Sequence, residues 1–83
     1  MTMTTDKTCA WVLVIEHKSG TTAHIHLTEA GAKATLLAWV TEWWECDGPD
    51  GVPMSDNADD NIRSYFDSDN KEFYTLMEAV VEP

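Results

Sequence analysis

Apolar and polar residues change rhythm twice along this chain. Cys9 to Glu16, CAWVLVIE, is a run of β-branched and aromatic residues of strand length. Thr21 to Leu27, TTAHIHL, alternates with a period of two. Between them, HKSG reads as a type I turn closed by Gly20, a three-residue hairpin loop. That loop pairs His17 with Thr21, Ile15 with Ala23, Leu13 with Ile25 and Trp11 with Leu27. One hairpin face is then wholly apolar, and a slip of one residue would scramble it. The other face carries Val12, Val14, Glu16, Thr22, His24 and His26.

From Thr28 to Cys46 the rhythm becomes helical. Leu36, Val40 and Trp43 share a stripe, with Leu37 and Trp44 beside it, an apolar arc of roughly 120°. Trp39 stands on its shoulder, and Ala34, Ala38, Thr41, Glu42 and Glu45 take the opposite side. Thr28 suits the N-cap and Glu29 the first turn. Asp47-Gly48 ends the helix, and DGPDGVP is a loop. Ser55 or Asp56 caps a second helix running to about Ser68, whose apolar stripe is only Ile62, Tyr65 and Phe66. Asp67 to Asn70 is a turn. Glu72 to Glu82 mixes strand-favouring and helix-favouring residues. It reads as a third strand, because a two-stranded hairpin alone is marginal. The expectation is an α+β domain over residues 9–83, in the order ββααβ, with two helices packed on one face of a small antiparallel sheet. Residues 1–8 read as a flexible polar tail.

Length and composition agree with one small core: 83 residues, 43% of them apolar. The segment MTMTTDKT lacks the apolar run of a signal peptide, and no stretch approaches the ~18 apolar residues of a membrane span. The expected location is the cytoplasm of a bacterial host cell. In that compartment Cys9 and Cys46 read as free thiols rather than a disulfide.

Charge changes the picture more than composition does. The chain has fifteen acidic and five basic residues, a formal charge of −10. Asp6, Glu16 and Glu29 balance Lys7, Lys18 and Lys33, so the first 41 residues are neutral. Twelve acids against Arg63 and Lys71 put the whole excess in residues 42–83. Such a field attracts cationic partners and disfavours nucleic acid as a direct ligand.

Enzyme chemistry has little footing in these residues. There is no nucleophile elbow, phosphate loop or dinucleotide fingerprint. His24 and His26 have a zinc-compatible spacing, but no further ligands stand at a recognised spacing. Asp67 to Glu78 has acids at the first, third and twelfth positions of a calcium loop, yet Lys71 and Glu72 occupy the fifth and sixth. No catalytic residue, metal or cofactor is expected. The constellation that remains is Glu42, Glu45, Asp47, Asp50, Asp56, Asp59, Asp60, Asp67, Asp69 and Glu72, with Trp39 as an aromatic anchor.

In size, charge, the neutral half behind an acidic half and the acid run from Glu42 to Glu72, the chain resembles the small anti-CRISPR and anti-restriction DNA mimics of phages and mobile elements. The resemblance is compositional and spans about half the chain. It implies a stoichiometric inhibitor that occupies the cationic nucleic-acid-binding surface of a host defence complex, such as a CRISPR surveillance complex, nuclease or restriction enzyme. Two other readings stand beside it. In one, the acidic face serves only solubility. In the other, the chain is a homodimeric assembly module joined through Val12, Val14, His24 and His26.

Overall fold

A computed structural model describes residues 8–68 and 71–81. Strand β1, Thr8–His17, opens the fold and is followed by β2, Gly20–His26. Helix α1, Glu29–Asp47, and helix α2, Ala58–Asp67, come next, and strand β3, Phe73–Val81, completes it. The sheet is antiparallel throughout, in the order β2-β1-β3, so the strand that supplies the buried Leu13 and Ile15 is central. This is the expected α+β architecture in the order ββααβ. Thr8, assigned to the tail, is the first residue of β1.

Both helices cover one face of the sheet. Leu13 and Ile15 from β1 meet Leu36, Val40 and Trp44 from α1, and Ile62 and Tyr65 from α2, in one buried cluster. Leu37, Trp39, Met54, Phe66 and Leu76 pack around it. The α1 stripe differs from expectation by one tryptophan: Trp44 is buried while Trp43 is 36% exposed. The reason lies in the loop that follows α1. Trp44 Nε1 donates to the Val52 carbonyl at 2.8 Å, so the indole can be buried with its polar atom satisfied.

The helix ends follow local chemistry. Thr28 caps α1 as expected, its Oγ1 accepting from Gly31 N at 3.0 Å. At the other end the Gly48 amide donates to the Trp44 carbonyl at 2.9 Å. The α2 cap is Asn57, not Ser55 or Asp56, and its Oδ1 accepts from Asp60 N at 2.9 Å. Ser55 has a different role. Its backbone amide and carbonyl are clasped by the Asn61 side chain at 2.8 and 2.9 Å, which closes the approach to the helix. That clasp satisfies Asn61, one of the two buried polar residues among those described.

The hairpin is correct in kind and one residue out in register. His17 pairs with Gly20, Ile15 with Thr22, Leu13 with His24 and Trp11 with His26. Lys18 and Ser19 form a two-residue loop, and Gly20 joins the strand at φ +133° rather than extending the loop. A one-residue slip turns every β2 side chain to the other face. Thr22, His24 and His26 therefore lie on the helix side, and Ala23 and Ile25 lie with Val12 and Val14 on the outer side. The polar residues are accommodated there because partners meet them. Thr35 Oγ1 of α1 lies 2.8 Å from His26 Nε2, and His17 Nε2 lies 2.8 Å from Thr22 Oγ1. The surface expected to join Val12 and Val14 with His24 and His26 does not exist as a single face.

Candidate functional site

Where the tip of the hairpin meets the last turns of α1, a cleft of about 490 Å³ opens. His17, Lys18 and Ser19 contribute from the hairpin, Trp39, Trp43, Cys46 and Asp47 from α1, and Glu72 from the approach to β3. Three residues singled out from the sequence, Trp39, Asp47 and Glu72, thus come together. Positions 39, 43, 46 and 47 lie within about two turns on one side of a helix, which is why one element supplies half the lining.

The aromatic wall is continuous. The Trp39 and Trp43 rings lie 5.7 Å apart at 41°, and His17 lies 4.7 Å from Trp39 at 46°. Lys18 Nζ sits 3.0 Å from Asp47 Oδ1. That hydrogen bond and the Asp47 charge hold the ammonium above the usual lysine range. Glu72 is not the displayed carboxylate expected from the sequence. It is buried, accepting from Tyr65 Oη at 2.7 Å and from Trp39 Nε1 at 3.4 Å. Burial, then the bond to Glu72, push the Tyr65 phenol well above its normal range. Glu72 therefore fixes Trp39, α2 and the start of β3 with respect to one another. Aromatic faces beside carboxylates suit a cationic group. Among the described residues no hydrogen bond joins Cys46 to His17, and both cysteines are free, so the cleft holds no thiol–imidazole pair.

The remaining acids lie around the two helices. Glu42 and Glu45 occupy the solvent face of α1, as their positions opposite Leu36 require. Glu45 and Asp50 flank a second cleft beneath the loop from Pro49 to Pro53. Asp59 and Asp67 flank a third, but Lys33 and Arg63 line it too. Lys33 lies 3.6 Å from Asp59, and Arg63 lies 3.2 Å from Asp60. Asp47, Asp59 and Asp60 are thus partly neutralised by these ion pairs. Glu42, Glu45, Asp50, Asp56 and Asp67 are exposed and have no ion pair among the described residues. Asp69 lies outside the described residues.

The other candidate constellations do not assemble. His24 and His26 lie 6.5 Å apart between ring centroids, and no group of three His, Cys, Asp or Glu suited to a metal occurs among the described residues. Asp67 ends α2 while Glu78 pairs with Trp11 in mid-strand, which separates the ends of the calcium-like run. Among the described residues no helix is long and apolar enough to cross a membrane. Comparison with protein families, curated proteins and solved structures found no match to this chain.

Proposed function

We propose that this is a non-enzymatic acidic binding protein that docks by its helical side on a cationic, nucleic-acid-binding surface of a host defence complex, as a DNA mimic of the anti-CRISPR kind. The observation that carries the reading is the set Glu42, Glu45, Asp50, Asp56 and Asp67, which stays exposed and has no ion pair among the described residues, although three of the chain's five basic residues form ion pairs with other acids. These carboxylates supply long-range attraction to Lys and Arg. The Trp39–Trp43 wall, beside Asp47, supplies a place to desolvate one cationic side chain at the centre of contact.

The test is capture from nuclease-treated bacterial lysate, comparing the natural chain with one carrying Glu42→Lys, Glu45→Lys, Asp56→Lys and Asp67→Lys. The reading expects a DNA-binding protein to be retained by the former and lost from the latter, with circular dichroism unchanged. Equal retention by both would rule the mimic reading out.

A further inference from the structure

Among the described residues, the face of the sheet opposite the helices is largely apolar, with several of its side chains exposed. In the observed register Val12 lies between Ile25 and Met77, Val14 between Ala23 and Thr75, and Ala10 beside Ala79. Directly paired residues point to the same side of a sheet, so these side chains form one outer surface. Ile25 is 74% exposed, Phe73 56%, Val81 53% and Met77 52%. None of them belongs to the buried cluster or to the residues packed around it. Within the described strands Glu16 is the only charged residue whose register position falls on this face, and it stands at the end of β1. Among the described residues, this sheet face is thus almost free of charge in a chain of charge −10.

We infer that this outer face, centred on Val12 and Val14, is covered by the same face of a second copy of the chain, giving a twofold dimer with a four-layer helix–sheet–sheet–helix arrangement. Area favours this occupant. Three strands ~4.8 Å apart and about nine residues long make a face of roughly 14 by 30 Å before side-chain corrugation. Two such faces together remove on the order of 1,000 Å², the level at which a specific interface is expected. Charge favours it too. Stacking through the sheets sends the acidic helices of both copies outward, about 30 Å apart at ~10 Å per layer. That distance is several Debye lengths at physiological salt, so the two fields repel only weakly. A cationic partner would instead be drawn to the helical side, and an anionic membrane would repel a chain of this charge. Shape is also compatible: the face is self-complementary about an axis through β1, with Ala23, Ala79 and Thr75 as hollows beside Ile25, Phe73 and Met77.

Sedimentation of the full chain from about 1 μM to about 1 mM tests this, alongside the double variant Ile25→Lys, Met77→Lys. Both substituted residues are more than half exposed, so the variant keeps its core. The expected result is a natural chain sedimenting at twice its 9.3 kDa mass and a folded variant sedimenting at 9.3 kDa, its dissociation constant raised at least ~100-fold. The dimer should also survive added salt and the acid-to-lysine changes on the helices, which separates its failure from failure of the binding function. A natural chain that is monomeric throughout overturns the inference. So does a dimer indifferent to the double variant.

Discussion

At the scale of single residues, the most informative side chain is Glu72, which the charge pattern groups with the displayed acids and the fold buries. Nothing local distinguishes it from Glu45 or Asp50. What removes it from the surface is the Tyr65 hydroxyl, seven positions earlier on another element, and the Trp39 indole beyond it. Tyr65→Phe should leave the buried carboxylate short of a donor and cost about 1–3 kcal/mol, read by urea unfolding at neutral pH. The pH dependence has a definite sign. Tyr65 has a folded pKa above its unfolded value of 10.0, so its contribution is complete below about pH 10 and is lost as pH rises further. Stability should fall with a steeper slope above that pH in the natural chain than in Tyr65→Phe. The tryptophans make a second residue-scale contrast. Trp44→Ala empties the core and should cost about 3–5 kcal/mol. Trp43→Ala, at a half-open cleft wall, should cost roughly 1 kcal/mol and act mainly on partner binding. The helical arc admitted both indoles; the fold buries Trp44, in line with Ala32, Leu36 and Val40, and satisfies its Nε1 on the Val52 carbonyl.

Among the elements, the hairpin and both helices carry their own signals in the sequence: β-branched runs, a cap at Thr28, a glycine stop at Gly48. The third strand mixes strand-favouring and helix-favouring residues, and only the need of a two-stranded hairpin for a neighbour points to it. What could not be read was how neighbouring elements meet. TTAHIHL alternates cleanly whichever face is inward, so the hairpin register turns on whether polar residues find partners on the helix side. Thr35 of α1 meets His26, and His17 at the end of β1 meets Thr22. Gly20→Ala tests that register. With φ at +133°, the alanine is strained and should cost about 1 kcal/mol or more in unfolding measurements, although open space surrounds the position. The start of α2 offers a similar test. Three candidate caps stand in a row, and Asn57→Ala should lose about 1 kcal/mol while Asp56→Ala stays within ~0.5 kcal/mol of the natural chain.

At the scale of the whole molecule, the two sides of the fold differ in chemistry. The helical side carries the exposed acids, and the outer sheet side is nearly uncharged. The first half of that division was legible, since the whole excess charge follows Thr41 in sequence and both helices pack on one face. The second was hidden by the register, because the outer face acquires Ile25 and Ala23 only when β2 is shifted by one residue. Charge neutralisation was equally hidden: Lys18, 29 positions before Asp47, reaches it only across the fold. In the proposed binding mode the helical side substitutes for nucleic acid on a cationic protein. Competition against duplex DNA for the captured partner, repeated from ~50 to ~200 mM salt, tests it most directly. DNA should displace the protein, and affinity should fall steeply over that range. Simultaneous binding of both, with an affinity indifferent to salt, would contradict it.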